Sequence, residues 1–443
     1  MKGNMLKVIP ALLVILFTLL ISLPALAAGL SAGSASADIT PEPNEKLPSF
    51  GYLPRGSKPM KGVHDRLYCD TLVLADGQAQ LAIATCDMTM ITPEFRNKIL
   101  AGLTAEGFNT NNVLITASHT HSGPGSMINN PIFNILFGRY NDKYTQRAAD
   151  AVVAAIREAK NGMKPSTLWL AQGRLEDVVR NRRDPARSYD YVKTRRFKDT
   201  YDPKNPKNDT DPVLTVMRFD GEDGKPMAIL YHFAMHGTVL GSDNWEFSAD
   251  WIGAARKKLQ AAYPGAGVLY FNGAEGDQAP TMLYDQNTDW QYVEIIGGKV
   301  ADGVIGLMDK AAAVNTAPIR SAQITRPMEP TGTVAGYKLG KSLLRRWLPD
   351  MTLMGVRIGD IGLMCCPVEM VNAVGITIND GARVQGVKYP LVVGLANVYR
   401  FYTAAPEDWE EGGMEVDGTV FGITEAAVIV GEQQMLMRRL FAN

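Results

Sequence analysis

Charge of one sign, cysteine and histidine are all scarce in this chain. Its 443 residues carry 45 Lys and Arg against 46 Asp and Glu, a formal net charge of -1. That balance excludes a strongly basic nucleic-acid binder and a polybasic membrane-surface protein, so no nucleic-acid partner is expected. Four cysteines are too few for a disulfide framework in a chain of this length. The Gly-rich stretch Asn272–Pro280 lacks the Lys-Ser/Thr ending of a phosphate loop, which removes nucleotide binding. The sequence shows no heptads or internal repeats, and no obligate protein partner is evident. What remains, 46% hydrophobic and 21% charged residues, is a globular composition and excludes a disordered chain.

One long apolar run is present. Lys2 and Lys7 precede Val8–Leu23, and Ala25-Leu26-Ala27 follows with small residues at the two recognition positions. Residues 1–27 therefore read as a secretory signal peptide, which implies export to a periplasmic or extracellular space. An uncleaved anchor is the alternative, at the short limit for spanning a bilayer. Residues 28–48, rich in Ala, Ser, Gly and Pro, read as a flexible lead-in, and 49–443 as a single catalytic domain.

Alternation predicts three hairpins. They join Leu67–Leu74 to Ala79–Asp87, Val213–Phe219 to Met227–His236, and Thr352–Ile358 to Ile361–Cys366. Helical spacing covers Thr92–Glu106, Tyr144–Lys160, Ala249–Ala262, Tyr292–Lys310 and Thr424–Leu440. The expected fold class is α/β, with mixed, largely hairpin-connected sheets covered by helices. A two-residue turn at Asp76-Gly77 would make Cys69 and Cys86 diagonal neighbours, roughly 7–8 Å apart and too far for a disulfide. Core packing is expected of all four cysteines. The polar stretch Arg182–Asp211 reads as a long loop of the kind that forms a lid.

Four of the five histidines fall in two clusters at strand ends. In the run Ser118-His119-Thr120-His121 an extended chain would put both imidazoles on one side. His232 and His236 would share a face of the next strand. Histidine is the commonest metal ligand, and hydrogen-bonded structural histidines are the bland alternative. Asp250 reads either as a helix cap or as a carboxylate that orients a histidine. Glycines at 273 and 276 would let backbone N–H groups approach a substrate oxyanion.

Taken together, several segments resemble the N-terminal catalytic domain of the neutral/alkaline (non-lysosomal) ceramidase family. They are Gly62–Leu67, Ser118–Gly125, Asn181-Arg182, Phe233–His236, Ser248–Trp251, Gly276–Pro280, Pro367–Glu369 and Gly394–Glu407, in family order. The resemblance implies a zinc-dependent amidase that splits the N-acyl bond of a lipid-like amide, in transient contact with a membrane. It implies His119, His236, Glu369 and Tyr402 as metal ligands. His121 would carry the proton, and Arg182 would face the carbonyl oxygen; Gly276 and Asp277 would line the substrate site.

The chain also departs from the family pattern. Ala279 stands where the family keeps a serine essential for amidase chemistry, and Met414 where it keeps a substrate-contacting tyrosine. Too few residues follow Tyr402 for the family's C-terminal immunoglobulin-like domain. Two alternatives stay open: a zinc-containing protein that binds a lipid or amide with little turnover, and a metallo-hydrolase of an ester or lactone. The H-x-H-x-D-H run of metallo-β-lactamases is missing.

Overall fold

The structure is a computed structural model, and it describes residues 29–183, 210–282, 288–334, 337–410 and 412–442. The signal-peptide reading of 1–27 lies outside the described residues, as does most of the stretch read as a lid.

One plan is used three times. The first unit runs β1 (Ser31–Asp38), β2 (Tyr68–Ala75), β3 (Gln80–Cys86), α1 (Pro93–Leu103), β4 (Val113–Ala117) and α2 (Asp142–Asn161). The second runs β5 (Thr167–Arg174), β6 (Val213–Asp220), β7 (Pro226–Phe233), α3 (Asp250–Ala262), β8 (Gly267–Asn272) and α4 (Asp289–Met308). The third runs β9 (Ile319–Arg326), β10 (Met351–Ile358), β11 (Ile361–Cys365), α5 (Asn372–Val384), β12 (Tyr389–Val393) and α6 (Glu425–Phe441). In each unit the first three strands are antiparallel neighbours, and the fourth returns through a helix to pair parallel with the third. A hairpin suffices for the antiparallel step, whereas a parallel step needs a crossover.

Both faces of each sheet are buried, and strand alternation decides which side chain goes where. Inward residues such as Leu72 and Ile83, Leu230 and Phe271, and Val356 and Leu363 join one common core shared by the three sheets. Outward residues pack under each unit's own helices: Val73 with Phe95, Tyr231 with Trp251, and Met364 with Met437. The expected mixed α/β fold class is what forms. The threefold plan was not readable, because what repeats is the pattern of burial.

Two expectations are corrected. Residues 31–38 are not a loose lead-in but an inner strand, paired with β2 along its whole length. Small residues are required there: a Cβ on Gly33 would lie 2.1 Å from the Ala159 carbonyl oxygen of α2. Cys69 and Cys86 are directly paired, with Cα atoms 4.0 Å apart, and form a disulfide. The turn holds four residues, not two, because Asp76 Oδ1 accepts the N–H groups of Gln78 and Ala79 at 3.0 and 2.8 Å. That shifts the register and brings the sulfurs together. Cys365 and Cys366 stay free and buried, as expected.

Candidate metal centre

The polar groups come from the carboxyl ends of strands in all three units. After β4 the chain turns at once: His119 adopts φ 66, a left-handed conformation that needs support from its surroundings. Support comes from its N–H on the Met88 carbonyl at 2.9 Å and its ring Nδ1–H on the Thr89 carbonyl at 2.7 Å. The expectation of an extended His-x-His segment is thus corrected. A left-handed turn sets the two imidazoles edge to face, with their Nε2 atoms 3.2 Å apart.

After β7, His236 leaves the strand and its Nδ1 meets the carbonyls of Glu275 and Gln278 at 2.8 and 3.1 Å. A parallel bridge between Thr120 and Gly237 holds the two histidine loops side by side. After β11, Glu369 starts a two-residue strand, parallel to a second that begins at Tyr402. Glu369 Oε2 lies 3.1 Å from Nε2 of both His119 and His236. Tyr402 OH lies 3.5 Å from His236 Nε2.

This donor set fits a metal ion. Carbonyl oxygens only accept, so both Nδ1 atoms carry the hydrogen and both Nε2 lone pairs point at the carboxylate oxygen. Burial pushes the His236 pKa down to about 4, aided by Arg182 and His119. Burial also pushes the Glu369 pKa up, but the two imidazoles outweigh it and hold the carboxyl well below its usual value. His236 and Glu369 are thus presented unprotonated. One ring nitrogen from each of His119, His121 and His236 falls within 4.8 Å of the other two, so His121 has the reach of a ligand as well as of a proton carrier.

Arg182 closes one side. Its Nε donates to Glu415 at 2.9 Å, and its Nη2 donates to the Gly276 carbonyl at 2.7 Å and to Tyr402 OH at 3.0 Å. Its Nη1 stands 3.2 Å from His236 Nε2. Three donors, Nε–H and the two of Nη2, thus have partners in the protein, and Nη1 faces His236 as Nη2 faces Tyr402.

Other expected site residues sit elsewhere. Asp250 bonds no histidine among the described residues and is not the N-cap of its helix, which is Ala249: its carboxylate accepts the N–H groups of Val239, Leu240 and Trp251 at 3.2, 2.9 and 2.7 Å. Trp251 Nε1 in turn donates to the His236 carbonyl at 2.9 Å, so Asp250 steadies the backbone around the ligand. Asp277 accepts from Asn181, Gln278 and the Asn372 N–H, each at 2.8 Å. Gly276 spends its N–H on the Met370 carbonyl, so the oxyanion role expected of its N–H is corrected. Ala279 is buried, paired across a short strand with Arg180. Met414 is 55% exposed, while its neighbour Glu415 turns inward to Arg182. His232 is apart from the cluster, its Nε2 on the Val392 carbonyl at 2.7 Å. The pairing expected for His232 and His236 fails because β7 ends at Phe233.

Three contributors escaped sequence reasoning. The Tyr399 hydroxyl bonds Glu369 Oε1. Glu415 and Asp408 bracket Arg182 and Arg183. The segment around residues 49–55 backs His121: the Tyr52 ring packs edge-on at 4.8 Å and Arg55 donates to the His121 carbonyl. Tyr399 lies inside a segment that carries the resemblance, a signal that could have found it; nothing local marks the others.

Comparison with known proteins assigns the class. The family model for the neutral/alkaline non-lysosomal ceramidase N-terminal domain matches residues 30–271, and the chain belongs to that family. The neutral ceramidase of Pseudomonas aeruginosa is 28% identical over 252 residues, covering 54% of this chain and 35% of that protein. The neutral ceramidase of Mycobacterium tuberculosis is 26% identical over 249 residues, covering 54% of this chain and 37% of that protein. The aligned part thus spans about a third of each of these relatives. The crystal structure of the Pseudomonas aeruginosa enzyme matches with a TM-score of 0.82 at 20% identity, covering 94% of this chain and 75% of that one. The threefold arrangement described above is therefore a neutral ceramidase fold.

Proposed function

We propose that this chain is an exported, zinc-dependent hydrolase that cleaves the N-acyl bond of a ceramide-like lipid or a related N-acyl compound. The observation that carries this reading is the convergence of the His119 and His236 Nε2 atoms on one Glu369 oxygen, in a chain of the ceramidase family. His119, His236, Glu369 and Tyr402 would hold the ion, and the mixed N/O set suits zinc. Zinc, when bound, polarises a carbonyl and brings the pKa of a water to roughly 7.

The chain's own groups do the rest. Burial, with His119 and His236, pushes the His121 pKa well below its usual value, so the ring is neutral and ready to accept a proton. His121 takes that proton from the attacking water and returns it to the leaving nitrogen. Arg182 Nη1 meets the negative charge that develops on the carbonyl oxygen. Ala279 has no hydroxyl, so attack is assigned to water and not to a side chain. The Cys69–Cys86 disulfide supports an oxidising, exported location, and a lipid amide brings the protein into transient contact with a membrane.

The test measures metal content beside hydrolysis of N-acyl sphingosines, N-acyl amino acids and esters. Metal-stripped protein is expected to be inactive and to recover with zinc, and H119A and H236A to lose both metal and turnover. Full activity in the stripped protein or in either variant overturns the reading. Ala279 favours a second reading, in which a lipid or amide is bound with little turnover. Ligand-dependent thermal stabilisation without product across the whole panel selects it, whereas turnover of the esters alone selects an ester or lactone hydrolase.

A further inference from the structure

Behind the histidine cluster, between the first and second units, lies a cavity of about 10 Å3 whose wall is part polar and part apolar, the latter from Ile252, Val268 and Tyr270. Asp70, Thr85, Asp87, Ser118, Tyr231 and Arg256 line it, and all are buried. Arg256 joins two carboxylates: its Nε lies 3.0 Å from Asp70, and its Nη2 lies 2.6 Å from both oxygens of Asp87. Ser36 Oγ donates to Asp70 at 2.8 Å and the Tyr68 N–H to Asp87 at 2.9 Å. Two acids share one base, and burial pushes both carboxyls up, Asp87 to about 6. Facing this cluster are two hydroxyls, Tyr231 OH and Ser118 Oγ, that have no partner among the described residues. Buried polar groups are nearly always hydrogen-bonded, so two unpartnered hydroxyls in one cavity call for an occupant.

We propose that this cavity is a binding site for a single water molecule. Its volume meets the lower bound for one water, roughly 10–15 Å3. The hydrogen-bond inventory matches as well. The Tyr231 and Ser118 hydroxyls donate to the two lone pairs of the water, and its two protons go to Asp70 and Asp87, whose carboxylate oxygens have lone pairs to spare. A sodium ion would instead offer neither hydroxyl proton an acceptor of its own. The site joins the first two units where the ligands emerge. Ser118 precedes His119, Tyr231 lies on the strand that leads to His236, and Arg256 belongs to the helix whose Trp251 holds the His236 carbonyl.

Y231F and S118A in the full chain test the proposal by the sign of their effect. With water bound, each removes one of its bonds and raises the unfolding equilibrium constant about tenfold. The double variant then falls short of a hundredfold change, because both substitutions report on the same molecule. An empty cavity gives the reverse: loss of an unpartnered hydroxyl stabilises the protein and raises its melting temperature. A crystal structure supplies the second readout, a single peak within hydrogen-bonding distance of the four oxygens that is lost in Y231F. Stabilised variants, strictly additive effects, no peak, or a peak at metal–oxygen distances with sodium-dependent melting each overturn the proposal.

Discussion

Replacing Glu415 with Gln tests how Arg182 is held against His236 and Tyr402. The two Glu415 oxygens each accept one charge-assisted bond, from Arg182 Nε and Arg183 Nη1, both at 2.9 Å. Arg183 keeps a second carboxylate in Asp408 at 3.1 Å, whereas Glu415 is the only carboxylate that Arg182 pairs with among the described residues. Glutamine preserves the shape but offers one acceptor oxygen, and its NH2 group faces a guanidinium. One charged bond, worth about 1.5–3 kcal/mol, is lost, and a buried cation is left underpaired. The expected loss of stability is about 3 kcal/mol. Burial pushes the Glu415 carboxyl up, but Arg182 and Arg183 outweigh it and hold its pKa below the usual value. Its contribution is therefore complete above the unfolded carboxyl pKa of about 4.3 and is lost as pH falls through the lower folded value. Parent and E415Q should thus converge in stability in acid. Arg182, freed to turn, should present Nη1 poorly, and kcat/KM on an N-acyl substrate should fall about 10- to 100-fold, mainly in kcat. Steady-state kinetics with metal content measured on the same samples is the assay. A kcat/KM within about twofold of the parent, at full metal content and lowered melting temperature, would refute the positioning role.

Three further outcomes are expected. His236 titrates near 4 in the fold and about 6.5 unfolded, so the unfolded state takes up the proton first. Stability of the metal-free chain should be full above about pH 6.5 and decline toward pH 4, by about 3 kcal/mol for this group; a flat melting temperature across that window contradicts it. G51A should lower turnover about tenfold at unchanged metal content, because Gly51 has φ 106 and a Cβ there would lie 2.6 Å from His121 Cγ. Loss of metal in G51A would instead make His121 a ligand. C69A combined with C86A opens a loop of sequence separation 17 and should cost about 3 kcal/mol in denaturant unfolding; an unchanged midpoint and slope would show that the bond does not form in solution.

Much of the secondary structure was legible because alternation and helical spacing survive in the sequence. The elements that were missed show what those patterns do not record. β1 is built from Ser, Ala and Gly, whose merit is the room they leave for α2 and not any apolar alternation. The four-residue turn before β3 depends on a side chain, Asp76, accepting two backbone N–H groups. In the site, histidine is rare enough to point to itself, and residue type alone led to His119, His121 and His236. Glu369 and Tyr402 came only from the resemblance, since a carboxylate and a phenol have many ordinary uses. Glu415 is defined by what it touches across the fold, and nothing local in the sequence marks it, whereas Tyr399 lies inside a segment that carries the resemblance.

Use of one plan three times has a consequence for how the protein comes to be active. The first unit supplies His119 and His121, the second Arg182 and His236, and the third Glu369 and Tyr402. During synthesis the imidazoles are therefore complete long before the carboxylate emerges. A nascent chain carrying two units lacks the proposed carboxylate and phenol, and so has no means of closing a mixed ligand set around an ion. On the proposed function, metal capture then becomes a checkpoint on the last third of the chain, and a product lacking that third would be inert instead of partly active.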